Sequence, residues 1–442
     1  MNIVVVGLGK IGLPLAVQYA SRGHRVVGAD VNPLVVDLVN AGTEPFPGEA
    51  HLQEHLGRAV AEGALGATTD TATAVAGADV VVVVVPLFVG PSGDPDFGWL
   101  DAATDDIGSG LQPRTLVCYE TTLPVGTTRD RFRPALERRS GLTEGTDFHL
   151  AFSPERVLTG RVFADLRRYP KLVGGLSETG AESARAFYAS VLEFDERPDL
   201  ARPNGVWDLG SAEAAELAKL AETTYRDVNI GLANQFAVFA ASRGVDVHRV
   251  IEASNSQPYS HIHSPGIAVG GHCIPVYPQL YLWNDPGATV VRAAREANGQ
   301  MPAYAVGLAR GAYGDLQGAR VVVLGAAYRG GVKETAFSGV FPLVAELTAH
   351  GAEVSVHDPL YSDEELCGLG FVPHALGRPV DVAILQADHD GYRTLDLDDL
   401  PEVRVVVDGR RVLDPERLPG VRVVAIGVPD TTRSAGLEAV VR

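Results

Sequence analysis

The sequence predicts an α/β protein in which two doubly wound parallel-sheet domains are joined by a long central helix. Three observations support this fold class. Short valine-rich runs alternate with helical patterns in the first part of the chain, a proline-free helical stretch follows, and the alternation resumes after Gly318. Repeated strand–helix units are typical of parallel sheets that carry helices on both faces. The length of 442 residues also favours more than one domain.

The first alternating region supplies four strand candidates, residues 2–6, 25–29, 80–85 and 115–118. Residues 80–85 are six valines closed by Pro86, which is typical of a strand buried on both faces. This run is far shorter than the roughly 20 residues that a membrane helix needs. The opening residues carry no basic segment, so no targeting signal is predicted.

The middle of the chain predicts one long helix over residues 211–243. This stretch is rich in Ala, Leu and Glu, contains no proline and has Gly231 as its one glycine. Ser211 can cap its start, Glu213 and Glu216 suit its first turns, and Gly244 can end it. At 1.5 Å per residue the helix is about 50 Å long. Such a length favours a helix that joins two domains or builds a dimer interface.

After Gly318, five further strand candidates indicate a second α/β domain. They are residues 320–324, 353–357, 381–385, 403–407 and 421–425. The two α/β regions are expected to have similar folds, although no repeat is strong enough to indicate a sequence duplication.

The composition excludes several classes of function. Apolar residues make up 46% of the chain and charged residues 21%, as in a folded globular protein. Lys and Arg number 37 against 55 Asp and Glu, and the net charge of −18 opposes general binding to nucleic acid or anionic membranes. Three cysteines, Cys118, Cys273 and Cys367, are too few for a disulfide scaffold and predict a cytoplasmic location. No Cys or His cluster has ligand spacing, so no metal site is predicted.

A glycine-rich turn between the first strand and a helical pattern, Gly7-Leu8-Gly9-Lys10-Ile11-Gly12, predicts a dinucleotide site of the Rossmann type. The first glycine allows the tight turn, the second lets a pyrophosphate approach the backbone, and the third lets the helix sit close on the strand. The second strand ends in Asp30, 18 residues beyond Gly12, where a ribose-binding acid is expected at about 20. A carboxylate there repels the 2′-phosphate of NADP, so the predicted cofactor is NAD. The alternative is a glycine turn beside an incidental surface aspartate.

Cys273 is the cysteine with a chemical setting. It follows Gly270, Gly271 and His272, and the small residues leave room for a substrate to reach the sulfur. A thiolate can attack an aldehyde to give a hemithioacetal, which can lose hydride to NAD and become a thioester that water hydrolyses. The alternative for any single cysteine is a small buried hydrophobe, which is the expected role of Cys118.

Lys219 is a second candidate for chemistry. The chain has four lysines, while its other 33 basic residues are arginines. Lysine can titrate when buried, so Lys219 is a candidate base or oxyanion stabiliser. The alternative is a salt bridge with Glu216 or Glu222, three residues away on a solvated helix face.

Six segments occur in an order and spacing that resembles the nucleotide-sugar 6-dehydrogenases, the UDP-glucose and UDP-N-acetylhexosamine dehydrogenase family, over essentially the full length. They are residues 7–14, 120–128, 153–157, 219–229, 265–275 and 408–411. The Ser-Pro-Glu-Arg-Val form of 153–157, the Arg-Asp-Val-Asn run of 226–229 and His272 resemble the UDP-N-acetylmannosamine and N-acetylglucosamine branch.

The resemblance implies two successive hydride transfers from C6 of the sugar to NAD, through a thioester on Cys273. It implies Lys219 as base and oxyanion partner, Glu155 and Thr122 as residues that position the hydrolytic water, and Thr223 as a further member of the catalytic set. It also implies a homodimer built through the 211–243 helix. The implied cofactor residues are Gly7, Gly9, Lys10, Ile11, Gly12, Asp30, Pro86 and Thr122. The implied substrate residues are Glu155, Arg156, Val157, Lys219, Arg226, Tyr259, Gly270, Tyr328, Arg329 and Arg410.

The resemblance divides the chain into three parts. Residues 1–205 are the expected NAD-binding Rossmann domain, and residues 206–300 the central helical dimerisation region with the catalytic lysine and cysteine. Residues 301–442 are the expected Rossmann-like domain for the nucleotide sugar. The turn after its first strand, Gly325 to Arg329, offers arginine rather than a glycine cradle.

Five positions depart from the family pattern. Thr223 stands for Asn, Tyr277 for Asp, Leu87 for Thr, Tyr259 for an arginine that reaches the partner subunit's substrate, and Ala336 for Arg. A phenol with a reference pKa of about 10 cannot replace a carboxylate of about 4 as an ionised partner. Two alternatives to the favoured UDP-N-acetylhexosamine enzyme therefore stay open. One is a UDP- or TDP-glucose 6-dehydrogenase of a secondary-metabolite pathway, and the other is a nucleotide-sugar-binding protein with impaired turnover.

Overall fold

The computed structural model describes residues 1–90 and 92–429. Its internal contacts divide the chain into two compact units, the first made of Met1–Glu222 with Gln279–Asp285 and the second of Thr223–Pro278 with the chain from Pro286 on. The boundaries at 205 and 300 stay a prediction. Residues 430–442 of the predicted third domain lie outside the described residues.

The first unit contains an eight-stranded sheet of the predicted doubly wound kind. The strand order is β10-β9-β8-β7-β4-β1-β2-β3, and β5 pairs separately with β6. Pairing is parallel from β3 through to β8. The strands are β1 Asn2–Val6, β2 Arg25–Ala29, β3 Leu65–Thr68, β4 Val80–Val83, β5 Phe88–Val89, β6 Pro95–Asp96, β7 Leu116–Tyr119, β8 His149–Phe152, β9 Lys171–Gly175 and β10 Val206–Asp208.

The valines of β4 explain why the sheet is covered on both sides. Val80 and Val82 pack into one apolar cluster, while Val81 and Val83 pack into another. Successive side chains of a strand point to opposite faces, so helices are needed on each face. These helices are α1 Gly12–Ser21, α2 Pro33–Asn40, α3 Leu52–Ala61, α4 Thr71–Val75, α5 Gly98–Gly110, α6 Arg133–Ser140, α7 Val162–Arg168 and α8 Glu178–Val191, with a π-helical turn at Thr128–Phe132.

Strand β9 differs from the predicted all-parallel arrangement. It runs antiparallel to β8, with Phe152 opposite Gly174 and Ala151 opposite Gly175. The chain leaves the carboxyl end of β8, forms α7 and re-enters the sheet from the same edge. Lys171, the first residue of β9, therefore lies at the carboxyl edge of the sheet.

The predicted long helix is present as α9 Ala212–Ser242. Ser211 caps it as expected, because its hydroxyl accepts a hydrogen bond from the Ala214 N–H at 3.1 Å. The helix begins in the first unit and ends in the second. In the second unit, a Cβ on Gly231 would lie 3.0 Å from the Ala294 carbonyl oxygen, so this glycine permits the close approach of a neighbouring helix.

The second unit contains a five-stranded parallel sheet in the order β12-β11-β13-β14-β15. Its strands, β11 Arg320–Leu324, β12 Glu353–His357, β13 Val382–Leu385, β14 Val405–Asp408 and β15 Arg422–Ala425, lie within two residues of the predicted ones. The other α-helices among the described residues are α10 Val247–Asn255, α11 Tyr277–Asn284, α12 Thr289–Gly299, α13 Met301–Tyr313, α14 Val340–Ala349 and α15 Asp363–Gly368. In the described part of the chain, no helix is long and apolar enough to span a bilayer.

Candidate active site

The turn between β1 and α1 has the geometry that a dinucleotide requires. Gly7 adopts φ +93°, a left-handed conformation that favours glycine. The Leu8 N–H donates to Asp30 Oδ2 at 2.8 Å, and the Asn32 N–H donates to Asp30 Oδ1 at 2.9 Å. The Asp30 carboxylate is therefore held at the end of β2, beside the turn, where it remains partly exposed.

The three glycines of this turn serve different purposes. A Cβ on Gly12 would lie 1.9 Å from the Gly7 carbonyl oxygen, so α1 can approach the turn only with glycine there. At Gly9 no heavy atom lies within 4 Å of the added Cβ. The protein's own packing does not require glycine at this position, whereas a pyrophosphate against the backbone does. The turn thus fits the predicted NAD, with Lys10 exposed and Ile11 partly buried beside it.

Other predicted residues lie along the carboxyl edge of the same sheet. Pro86 and Leu87 follow β4, and Thr122 is buried after β7. Glu155 follows β8 and is 12% exposed, with Oε2 2.9 Å from Lys171 Nζ. The Arg156 Nε donates to Glu222 Oε2 at 2.9 Å, and Val157 is partly buried next to it.

Sequence reasoning missed two members of this edge, Glu120 and Lys171. Burial raises the pKa of Glu120 to about 7, against the opposing charge of Lys171. Burial also acts to raise the pKa of Glu155, but the charge of Lys171 and several hydrogen bonds bring it below its usual value. Lys171 could have been found because it is one of only four lysines. Its place at this edge depends on the antiparallel β9, which no local pattern indicates.

Lys219 is 5% exposed, so it does not lie on the solvated helix face that the alternative required. The Glu216 carboxylate is directed to the 126–128 turn instead. It accepts from the Gly126 N–H at 2.6 Å and from the Thr128 N–H and hydroxyl at 2.9 and 2.7 Å. Thr223 and Arg226 follow Lys219 at four and seven residues, so the three side chains share one face of α9.

The loop that carries Cys273 is built in the second unit. Gly271 adopts φ +93°, and its N–H donates to the Ala336 carbonyl at 2.8 Å. The His272 Nε2 lies 3.1 Å from Glu334 Oε2. Cys273 is partly exposed, and its carbonyl accepts from the Tyr277 N–H at 2.9 Å. By contrast Cys118 is fully buried, as predicted, and burial raises the pKa of its thiol to about 12.

Three of the predicted substrate residues come together next to this loop. A Cβ on Gly270 would lie 2.5 Å from the Tyr328 Cβ. The Arg410 Nε donates to the Gln386 carbonyl at 2.7 Å, and its Nη2 donates to the Tyr328 carbonyl at 3.1 Å. Arg329 is exposed beside Tyr328, whereas Tyr259, on the loop after α10, is 93% exposed and stands apart from this group.

The second unit also contains a Rossmann-type turn that the sequence pattern did not reveal, because Ala327 occupies the place of the second glycine. Gly325 adopts φ +104°, and its N–H donates to the His357 carbonyl at 2.7 Å. The N–H groups of Ala326 and Ala327 donate to Asp358 Oδ2 at 2.8 and 3.0 Å. The His389 Nε2 lies 3.1 Å from the same oxygen.

A first turn that fits NAD at the switch point between β1 and β4 places the chain among the NAD-dependent oxidoreductases of the Rossmann type. Family models match at three places: the NAD-binding domain of the UDP-glucose/GDP-mannose dehydrogenase family at residues 1–192, its central domain at 213–300 and its UDP-binding domain at 322–415. The chain belongs to this family, and it is an NAD-dependent nucleotide-sugar dehydrogenase. The predicted family, fold class and cofactor are thereby confirmed.

Individual relatives agree with this assignment. A UDP-N-acetyl-D-mannosamine dehydrogenase of Pyrococcus horikoshii is 36% identical over 409 residues, 90% of this chain and 92% of its own. The solved structure of a UDP-D-ManNAc dehydrogenase from Pyrococcus horikoshii has a TM-score of 0.86 and 33% identity, over 97% of this chain and all of that one. A UDP-glucose dehydrogenase of Pyrobaculum islandicum has a TM-score of 0.84 and 28% identity, over 97% of this chain and 98% of its own.

Proposed function

We propose that the protein oxidises C6 of a UDP-N-acetylhexosamine, with UDP-N-acetylmannosamine favoured, from the alcohol to the carboxylate. The choice of substrate is supported by the similarity, along 90% of the chain, to a relative named for UDP-N-acetyl-D-mannosamine. The buried Lys219 and the glycine-flanked Cys273 provide the groups that a two-step oxidation needs.

The first oxidation requires a base at the C6 hydroxyl. Lys219 is buried on the face of α9 that also carries Thr223 and Arg226, and a buried amine can be neutral, unlike a guanidinium. It takes the hydroxyl proton as hydride leaves C6, which yields the aldehyde. NAD, when bound, accepts the hydride.

The second oxidation proceeds through Cys273. Its thiolate adds to the aldehyde carbon, and the hemithioacetal loses a second hydride to become a thioester. Thr122 and Glu155 position the water that hydrolyses this thioester. Thr223 is expected to contribute to the same step, and its hydroxyl is shorter than the amide usual at that place.

The nucleotide sugar is held by local groups in a chain of net charge −18. Arg410 is fixed by two backbone carbonyls beside Tyr328 and Gly270, so its guanidinium is pre-organised to meet phosphate or sugar oxygens. The other proposed contacts are Arg156, Val157, Arg226 and Arg329, with Tyr259 reaching the substrate of a partner subunit.

We also propose a homodimer formed through α9. Tyr225, Leu232, Phe236 and Phe239 are exposed apolar residues of this helix. Their spacing of seven, four and three residues places them on one stripe, and exposed apolar stripes mark contact surfaces. Light scattering of the wild type and of a Phe236→Glu/Phe239→Glu variant tests this proposal. An unchanged dimer mass in the variant would exclude the stripe as the dimer interface.

The reaction is tested by counting the NADH released per sugar over a panel of UDP-, TDP- and GDP-hexoses. Two NADH per UDP-N-acetylmannosamine, with an acid product, is the expected result. One NADH per sugar would mean that Thr223 and Tyr277 arrest the reaction at the aldehyde. Preference for UDP- or TDP-glucose would reassign the substrate, and no NADH with any sugar would exclude the enzyme activity.

The role of Cys273 is tested by Cys273→Ser, with Cys367→Ser as a matched control at an exposed cysteine. The first variant should form no acid, while the second should retain the wild-type yield. Unchanged acid formation by Cys273→Ser would remove this residue from the mechanism. The predicted cytoplasmic location and a role in polysaccharide biosynthesis are part of the same proposal, and cell fractionation tests the location.

A further inference from the structure

A buried group of charged side chains lies behind Glu155 and is centred on the Glu120–Lys171 pair. Lys171 Nζ is 2.6 Å from Glu120 Oε2 and 2.9 Å from Glu155 Oε2. The Glu120 side chain is fully buried and that of Lys171 is 4% exposed, whereas Glu155 reaches the surface. One ammonium therefore bridges a deep carboxylate and a shallower one.

Hydrogen bonds fix the orientation of the Glu120 and Glu155 carboxylates. Glu120 Oε1 accepts from the Tyr188 hydroxyl at 2.7 Å and from the Tyr19 hydroxyl at 3.2 Å. Glu155 Oε1 accepts from the Arg156 N–H at 2.7 Å, and the Glu155 N–H donates to the Glu120 carbonyl at 3.3 Å. Each carboxylate oxygen thus has a donor, and the Glu155 side chain is held at two points.

Stability alone does not account for such a group. The desolvation of buried charges offsets most of their attraction, and apolar side chains of similar volume are often as stabilising. A cavity of about 10 Å³ borders Glu155, Arg156 and Lys171, enough room for about one water molecule among polar side chains. The Arg156 guanidinium itself is directed to Glu222 and to the Pro170 carbonyl. Lys171 is thus the cation bonded to the Glu155 carboxylate.

We propose that Glu120 and Lys171 are positioning residues for thioester hydrolysis, which hold the Glu155 carboxylate ionised and aimed at the water that it positions. This inference rests on the proposed function. In that step the water oxygen bonds to the thioester carbon, the C–S bond to Cys273 breaks, the thiol is regenerated and one proton is released with the carboxylate product. An ionised Glu155 accepts a hydrogen bond from this water, whereas a neutral Glu155 would compete as a donor.

The pH dependence of the step follows from the groups that face Glu155. These are Lys171 on β9, Glu120 directly after β7 and Tyr19 on α1. Tyr188 on α8 and Cys118 on β7 face Glu120 instead. Burial acts to raise the pKa of Glu155, and the charge of Lys171 is the largest influence that lowers it. Removal of that charge should therefore move the acid limb of the rate profile to higher pH.

The test is Lys171→Met in the full-length enzyme, with Lys333→Met as a matched control that removes an exposed lysine ion pair. Rapid mixing measures the NADH of the first turnover, and intact-protein mass spectrometry measures the thioester on Cys273. Lys171→Met should slow hydrolysis by up to about 100-fold, the loss that a misplacement of about 1 Å can cause, so that the thioester accumulates. The first hydride transfer should be unchanged, and the acid limb of kcat should shift to higher pH. Lys333→Met should match the wild type.

Two further variants separate positioning from folding. Lys171→Arg restores the charge and should recover most of the rate and the wild-type pH profile. Glu120→Gln/Lys171→Met leaves no uncompensated buried charge at the pair, so a folded protein is expected even if the single variant unfolds. Wild-type hydrolysis and an unmoved acid limb in the folded double variant would overturn the inference. Absence of acid in the wild type would instead overturn the proposed function.

Discussion

The turns that follow β1 and β11 have nearly the same backbone conformation, but they differ in the exposure and the partners of the aspartate beside them. Gly7 and Gly325 both adopt a left-handed φ, and each donates its N–H to the last residue of the neighbouring strand. Asp30 then accepts one turn amide and stays partly exposed. Asp358 accepts two turn amides and lies beside His389, with 3% of its surface exposed.

The difference shows what a dinucleotide site needs besides its turn. In the first unit the carboxylate still faces outward, and α1 begins at the third glycine, so that amide groups at its start can meet phosphate. In the second unit the Asp358 carboxylate is bonded to groups of the protein itself, the Ala326 and Ala327 N–H groups and His389. The next helix, α14, begins only at Val340. The first turn is therefore the proposed NAD site, whereas in the second turn the Ala326 and Ala327 N–H groups are already bonded to Asp358.

The largest expected effect comes from replacing each of the two aspartates with alanine. Asp358→Ala leaves two buried N–H groups and a histidine without their acceptor, and loss of a buried charged partner costs about 3–5 kcal/mol. Asp30→Ala removes two hydrogen bonds of a partly exposed carboxylate, so its effect on stability should be smaller than that of Asp358→Ala, while NAD affinity should fall at least tenfold. Denaturant unfolding and NAD titration of both variants measure this contrast. Equal stability losses would contradict the assignment of Asp358 as a structural residue.

The second glycine of the β1–α1 turn, Gly9, gives the next prediction, a contrast between unchanged stability and weakened NAD binding. A Cβ at Gly9 meets no atom within 4 Å, so Gly9→Ala should keep the wild-type stability. It should weaken NAD binding by about 10- to 100-fold, because the methyl occupies the path of the pyrophosphate against the backbone. Isothermal titration with NAD and thermal unfolding check the two halves of this prediction.

Two controls bracket that result. Gly12→Ala places a Cβ 1.9 Å from a backbone oxygen and should lose both stability and NAD binding. Ala327→Gly, at the matching position of the second unit, should gain no NAD affinity. Full NAD affinity in Gly9→Ala would mean that the cofactor does not approach the turn there.

The sequence predicted the elements better than it predicted the sites. Valine runs and glycine turns are local signals, so α9, the five strands of the second unit and four strands of the first could be found from spacing. Strands β3, β5, β6, β8, β9 and β10 were not predicted. The Glu120–Lys171 pair depends on the antiparallel entry of β9, and the Asp358–His389 contact joins residues 31 positions apart. Such contacts are set by chain packing, and spacing along the chain does not mark them, although the rarity of lysine could have singled out Lys171. The roles of Cys273 as nucleophile and of Lys219 as base were predicted from the residues and implied again by the resemblance, and they stay a prediction.

The smallest expected effect concerns the opposite pH responses of buried groups in the two units. Burial raises the pKa of Glu216 to about 7. The stability that this carboxyl contributes is present below its unfolded pKa of about 4.3 and is lost as the pH rises through 7. In the second unit, burial lowers the pKa of His374 to about 4. Its contribution is present above about 6.5 and is lost as the pH falls toward 4.

His374→Asn should therefore remove part of the acid sensitivity of the second unit. At pH 5.5 the wild type should have lost about 1 kcal/mol that the variant keeps, since the Ser355 contact at His374 Nδ1 can be retained by an amide. Hydrogen exchange of β11 to β15 at pH 5.5 and 7.5 measures the change within that unit. His350→Asn, at a partly exposed histidine of the same unit, is the matched control and should leave the pH difference unchanged. If hydrogen exchange of His374→Asn changes with pH as much as that of the wild type, His374 is not the source of the acid response. That response would then arise from carboxylates such as Asp358 and Asp381, whose pKa values lie below the usual range. The opposite pH responses of the two units would then depend on Glu216 and these carboxylates, and not on Glu216 and His374.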